Sequence, residues 1–265
     1  MGPVSYLVMA ADLCPIDKRN RMIKFADDTY LILPEKCTTT SEDELQHIQD
    51  WAQGCNLTLN RKKTKEVIFR AKGRRDNSTQ LPVACPAIDR VEQLTALGVV
   101  ISDRMTAADH VSKLLEKCTQ RLYMPRVLSQ HGLTSTSMND VFRATVLDKL
   151  MHCASGWSGF CLAADRARLD MFLHRYMRLR YSGGDIPEVA EMIDSADKAL
   201  FSRIIRNNKH VLQHYLPEHH KIQYNLRPRQ HSKQRLNLII VIILYECCTE
   251  MPIDTGYIFF RTLNS

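Results

Sequence analysis

Lys24-Phe25-Ala26-Asp27-Asp28-Thr29-Tyr30-Leu31-Ile32-Leu33 sets two adjacent carboxylates between two apolar, β-prone runs. Met22, Ile23 and Phe25 lie before the acids, and Tyr30 to Leu33 lie after them. The pattern predicts a strand, a tight turn carrying Asp27 and Asp28, and a returning strand. Two carboxylates held at a hairpin tip repel each other, at a cost that solvent or a cation must offset. Oxygen-only ligands suit Mg²⁺, which takes one or two carboxylates plus substrate phosphates. The pair can therefore serve as half of a two-metal phosphoryl-transfer site. The other reading of an isolated Asp-Asp is an ordinary Asp-rich turn exposed to water.

The downstream segments bear on that choice. Ser41-Glu42-Asp43-Glu44 is a capping-box pattern that opens a helix. Leu45, Ile48 and Ala52 mark its buried stripe, Trp51 lies beside them, and Gly54 supplies the stop. Asn56-Leu57-Thr58-Leu59-Asn60-Arg61-Lys62-Lys63-Thr64-Lys65 follows, and then the strand-like Glu66 to Phe69. This order resembles the palm of reverse transcriptases from non-LTR (LINE-type) retrotransposons. Phe25-Ala26-Asp27-Asp28 matches that family's tyrosine/phenylalanine-Ala-Asp-Asp motif. Trp51, the Asn56 to Asn60 run and Lys63-Thr64 match its next block. Leu94-Thr95-Ala96-Leu97-Gly98-Val99 looks like the strand that connects palm to thumb. His110, the segment Val141 to Leu150, and Gly156-Trp157 look like the thumb pattern. The resemblance covers roughly residues 1–229, and its specificity lies in the motifs occurring together and in order.

The resemblance implies an α+β fold: a partial polymerase palm (catalytic β-hairpin, helix, strands), then a helical thumb bundle and a helical C-terminal region. It implies an RNA-directed DNA polymerase that takes an RNA template, a DNA primer and dNTPs, with Mg²⁺ as cofactor. Asp27 would ligate the catalytic Mg²⁺ with Asp28 beside it, and Lys63 would stand near the leaving pyrophosphate as a proton donor. Leu97, Gly98 and Val99 become a candidate primer grip; read without the family, they are a plain strand with a tolerated glycine. Gly2-Pro3-Val4-Ser5-Tyr6 looks like the tail of the family's dNTP-pocket motif, with Leu7 to Leu13 finishing the helix after it. The start of that motif, the fingers and the palm strand with a third metal-binding aspartate have no counterpart. Asp12 sits on the wrong element to replace that aspartate. Metal ions about 4 Å apart need ligands converging from more than the hairpin. The expectation is therefore a truncated palm plus thumb, inactive on its own. The alternatives are a catalytically silent nucleic-acid-binding remnant and a decayed open reading frame.

Composition is that of a soluble, intracellular chain, with nucleus and cytoplasm not distinguished. Its 265 residues are 45% hydrophobic and 25% charged, ordinary globular values. A net charge of +7 and a pI near 8.9 favour anionic partners. Nine cysteines without paired spacing argue against a disulfide framework. His219-His220 has no cysteine pair nearby, which argues against a zinc knuckle. No signal-peptide pattern opens the chain. The longest apolar run, Leu238 to Tyr245, is far short of the ~20 residues that cross a bilayer, so no membrane is expected.

Four segments follow from the pattern. Residues 1–104 form the partial palm, with a polar loop at Lys72 to Ser78 and a short extended stretch framed by Pro82 and Pro86. Residues 105–181 form the helical thumb. Its first helix runs from about Thr106 toward Ser129, with Pro125 breaking it near Met124. A second begins near Ser137 and ends at Gly156 to Gly159, and a third covers about Ala164 to Tyr181. Eleven basic side chains against six acidic ones leave this segment at +5. Lys113, Lys117 and Arg121 share one helix face, and Arg175, Arg178 and Arg180 cluster at another helix's end. Such faces track phosphates; they also occur as solvated surfaces with favourable dipole placement. With the family resemblance, Lys113, Lys117, Arg121, Arg175 and Arg178 are the candidate nucleic-acid contacts.

Residues 182–226 open on a hinge at Ser182-Gly183-Gly184 and predict two short helices separated near Ser195. His210, His214, His219 and His220 are expected to face solvent. Residues 227–265 are a basic, divergent tail whose composition permits disorder. Lys221, Arg227, Arg229, Lys233 and Arg235 lie close together, and the family pattern is lost after Leu236. A frame shift or an unrelated exon end is expected there.

Overall fold

A computed structural model of the chain describes residue 5 and residues 8–26, 28–34, 41–70, 84–85, 88–178, 186–213, 216 and 255–264. Asp27, the polar loop at 72–78, Pro82, Pro86, Arg180 and the 182–184 hinge lie outside the described residues. So do His214, His219, His220, the basic run from Lys221 to Arg235, and Leu238 to Tyr245. The chain mixes helix and strand, compatible with an α+β class. It divides into two compact units, Met1–Met105 with Tyr245–Ser265, and Thr106–Leu244.

The first unit is built on an antiparallel hairpin, β1 (Arg21–Phe25) and β2 (Asp28–Pro34). Phe25 pairs with Asp28 and Lys24 with Thr29, so the turn is the two residues between them. Asp28 is therefore the first residue of β2 rather than part of the turn. Ala26 carries the turn with φ 49°, a left-handed conformation that L-residues reach at a cost. β2 is buried from Thr29 through Pro34, which suits an unbroken apolar run covered on both faces.

Helix α1 (Ser41–Gly54) packs on this hairpin. Leu45 and Ile48 join Leu13, Leu31 and Leu33 in one core, and Ala52 joins Ala10 and Leu57 in another. Gly54 is the last helical residue, but the reversal is made by Asn56 at φ 56°. Asn56 N–H donates to Gln53 and Leu57 N–H to Ala52, the paired bonds of a Schellman cap. β3 (Thr58–Leu59), β4 (Lys65–Arg70) and β5 (Asp89–Arg90) follow. β5 runs parallel to β4 and is held by an Arg90 Nε–Glu66 Oε2 ion pair of 2.7 Å.

The strand that completes the sheet comes from the segment read as a divergent tail. β8 (Thr255–Asn264) lies between β2 and β4, antiparallel to both, in the order β1-β2-β8-β4-β5, and β3 also pairs with it. The stretch around Gly98, read as one interrupted strand, is instead a second hairpin of β6 (Gln93–Ala96) and β7 (Val99–Ser102). Leu97 and Gly98 form its turn at φ 46° and 85°. Positive φ at both central residues matches the right-handed twist of the flanking strands.

The second unit is helical among the described residues. α2 (Ala108–Arg121) and α3 (Tyr123–Gln130) meet at Leu122. The break falls before Met124 because the Pro125 ring clashes with the carbonyl four residues back, at Arg121. Pro125 itself sits in the first turn of α3, where its missing N–H costs nothing. α4 (Ser135–Phe142) starts earlier than the expected Ser137, since the Thr134 side chain caps it by accepting from Ser137 N–H. It continues through a π-helical segment (Arg143–Leu147) into α5 (Asp148–Met151). The break comes at Cys153, φ 52°, ahead of the two glycines read as the end. α6 (Ala154–Trp157) and α7 (Ala163–Arg178) follow. α8 (Val189–Arg206) is one continuous helix rather than two, because Ser195 faces solvent and interrupts nothing.

The core of this unit includes Val111, Leu114, Phe142, Leu150, Trp157, Leu169, Leu173 and Ile193. Phe142 stacks on Tyr176 with ring centroids 3.5 Å apart. Among the described residues no helix is long and apolar enough to cross a membrane.

Candidate functional site

The acidic hairpin is anchored from two directions. The Lys24 ammonium donates to the Leu13 carbonyl at 2.8 Å and also to the Ala10 carbonyl. This ties β1 to the segment before it. On the other side, one stripe of α1 holds the 12–20 stretch. Trp51 Nε1 donates to Asp12 Oδ1 at 3.1 Å, and His47 Nε2 lies 3.1 Å from the Cys14 carbonyl oxygen. Fully buried Glu44 accepts from Ile16 N–H at 3.0 Å, Asp17 N–H at 3.1 Å and Asn20 Nδ2 at 2.6 Å. A buried carboxylate is tolerable only with such donors. Read from sequence as the capping partner of Ser41, Glu44 serves the loop that leads into β1. Nothing in local periodicity signals this long-range role, or that of Lys24.

Asp28 is half-buried at the head of β2, and Tyr30 OH, two residues along, approaches its Oδ2 at 3.4 Å. Asp27 lies outside the described residues. The Asp28 carboxylate is an oxygen-only donor, chemistry that fits Mg²⁺. Among the described residues no group of three or more His, Cys, Asp or Glu side chains is placed to hold a metal. The strand beside Asp28 adds no acid, since Thr255–Asn264 reads Thr-Gly-Tyr-Ile-Phe-Phe-Arg-Thr-Leu-Asn.

Lys63 is exposed in the turn that precedes β4. Asn60 organises that turn: its Oδ1 accepts from Lys63 N–H at 3.1 Å, and its carbonyl accepts from the buried Thr64 hydroxyl at 2.9 Å. Asp28 is level with Thr262 of β8, and Lys65 with Phe260. β2 and β4 thus run parallel to each other with β8 between them. Their starting ends, carrying Asp28 and the Asn60–Lys63 turn, share one end of the sheet. Two strand spacings separate these backbones by about 10 Å. A groove of about 210 Å³ on α1 and β3 is lined by Gln49, Gln53, Leu57, Thr58, Leu59 and Arg61, and includes none of the predicted site residues.

Of the primer-grip candidates, Leu97 and Gly98 are exposed at the tip of the β6–β7 turn and Val99 is half-buried at its base. On α2, Lys113, Lys117 and Arg121 are exposed opposite His110, Val111, Leu114 and Cys118. Arg121 is already committed, donating to the Thr145 carbonyl in the π segment at 2.7 Å. Arg175 and Arg178 are exposed in the last turn of α7. Arg168 bridges α7 to α2 by donating to the Ser112 hydroxyl at 3.0 Å.

Two further groups near these helices are electrostatically unusual. His110 packs at 4.9 Å from the Trp157 ring, and burial pushes its pKa down to about 4, helped by Lys149, His152 and Lys117. Cys153 Sγ lies 3.5 Å from His152 Nε2, yet burial pushes the thiol pKa up, so the pair is not an activated thiolate. No family model, no curated protein and no solved structure matches the chain.

Proposed function

We propose that the chain is the palm-and-thumb portion of a non-LTR retrotransposon reverse transcriptase, an RNA-directed DNA polymerase whose acidic end is incomplete without a further carboxylate. The observation that carries this reading is the hairpin end. Phe25 pairs with Asp28, which stands half-exposed at the head of a buried strand, at the same sheet end as Lys63. In this reading Asp27 and Asp28 would hold Mg²⁺, which would offset charge developing on phosphate and primer oxygens. Lys63 offers a cation and a proton to the leaving pyrophosphate. The Leu97–Gly98 turn bears on the primer end. Lys113, Lys117, Arg121, Arg175 and Arg178 neutralise duplex phosphates.

A second reading, a silent nucleic-acid-binding remnant, is favoured by the strand beside Asp28. Its residues opposite Asp28 and Thr29 are Thr262 and Arg261, neither of them an acid. The test is primer extension on an RNA template with dNTPs and Mg²⁺, run beside filter binding of the same duplex. The proposal predicts binding without extension. Extension that Asp27→Asn abolishes would retain the polymerase and overturn its incompleteness. Absence of both binding and extension would overturn both readings.

A further inference from the structure

The central slot of the sheet is filled from outside the run of chain that forms the rest of it. β1 to β5 all lie between residues 21 and 90, whereas β8 joins the same unit from beyond the intervening residues 106–244. Without β8, the facing edges of β2 and β4 would be open along strands buried at Thr29 to Pro34 and Glu66 to Phe69. An open edge of that kind is a template for any extended chain. β8 satisfies it through backbone pairing: Asp28 to Pro34 on one side, Lys65 to Arg70 on the other, with Thr58 and Leu59 at the end. Backbone bonds of this sort are indifferent to which copy of the strand supplies them.

We propose that the slot between β2 and β4 is a strand-acceptor site, and that residues 255–264 occupy it as an exchangeable strand that the same segment can replace when offered in trans. This holds whether or not the chain binds nucleic acid. The slot takes an extended segment antiparallel to both rims. Its occupant is also the immediate neighbour of Asp28, so whatever enters the slot sets what chemistry adjoins the acidic hairpin.

The test uses the full chain carrying Lys65→Cys and Phe260→Cys. These positions are cross-strand partners, and Lys65 is exposed, so its replacement leaves the core alone. Directly opposed strand residues sit about 4.5–5.5 Å apart at Cα, within the span a disulfide bridges. Mild oxidation should form this bond, identified by peptide mass mapping because the six described native cysteines are free. The shifted pair Lys65→Cys with Phe259→Cys should not form it. A fluorescent peptide of residues 255–264 should then be retained by the unmodified chain on gel filtration. Retention should be lost in the oxidised double variant and restored on reduction, while a scrambled peptide is not retained. An interchain rather than intrachain disulfide also supports the proposal, since the slot then holds another copy's strand. Failure of the Lys65–Phe260 bond to form overturns the assignment of the occupant. Retention that ignores the cross-link, or no retention by any form, overturns exchange.

Discussion

Asp28 on β2 lies directly opposite Thr262 on β8. The residue facing the candidate metal ligand across the sheet is therefore neutral. Thr262→Asp places a second carboxylate there. Like charges directly opposed destabilise a sheet by roughly 0.2–1 kcal/mol, so the variant should melt below the parent in EDTA at neutral pH. Mg²⁺ should restore the loss, because a shared cation converts the repulsion into ligation. Thermal melts with and without Mg²⁺ check this. A variant indifferent to Mg²⁺ would remove the case for Asp28 as a ligand.

Leu97 pays for its place in the β6–β7 turn, holding φ 46° next to Gly98 at 85°. The left-handed region costs a leucine about 1–2 kcal/mol, and asparagine tolerates it far better. Leu97→Asn should raise stability by about 1 kcal/mol, read as a shift of the urea midpoint at unchanged slope. No shift would mean that the turn relaxes to another conformation.

His110 gives the helical unit an acid-sensitive core. Its pKa is lowered from 6.5 to about 4 by burial, then by Lys149, His152 and Lys117. Between those values the unfolded chain binds the proton that the folded chain refuses. Stability is therefore fully present above pH 6.5 and falls as pH drops toward 4, by up to about 3 kcal/mol in all. His110→Phe keeps a ring against Trp157 and should flatten this part of the pH–stability curve. An unchanged slope would assign the acid sensitivity elsewhere.

Asp197 on α8 works in the opposite sense. It is 4% exposed, and neither carboxylate oxygen has a hydrogen-bond partner among the described residues. Burial raises its pKa, the Ser155 hydroxyl opposes the shift without closing a bond, and Asp194 adds to it. The protonated form suits the fold, so this contribution is present at low pH and is lost as pH rises through the raised value. Asp197→Asn should stabilise the chain at neutral pH by about 1–3 kcal/mol, with the gain shrinking in acid. Chemical denaturation at two pH values decides it.

Local signals carried much of the fold. The apolar runs around Asp27 and Asp28 announce the hairpin, and Leu45, Ile48 and Ala52 announce the face of α1. Helical spacing at Val111, Leu114 and Cys118 marks the inward side of α2. What stayed illegible is long-range. β8 carries a β-prone Tyr257-Ile258-Phe259-Phe260 run, but nothing in that run names β2 and β4 as its neighbours. The placement of Lys63 at the same sheet end as Asp28 depends on that pairing, so it was hidden too. Glu44 fits a capping box by spacing, and only the folded loop shows that its carboxylate serves Ile16, Asp17 and Asn20. Pro125 was visible as a breaker, and its clash with the carbonyl of Arg121 explains why the break falls earlier than the proline itself.

Both functional readings share one claim: the exposed basic residues of the helical unit hold an RNA–DNA duplex. The direct measurement is the salt dependence of primer–template binding, for the parent and for Lys113→Gln/Lys117→Gln/Arg175→Gln/Arg178→Gln. Arg121 is spared because it supports the Thr145 carbonyl. The parent should show a steep negative slope of log K against log salt, reduced by about 3.6 in the variant, which is about 0.9 for each of the four charges removed. Equal slopes and affinities for the two proteins, at equal thermal stability, would contradict it.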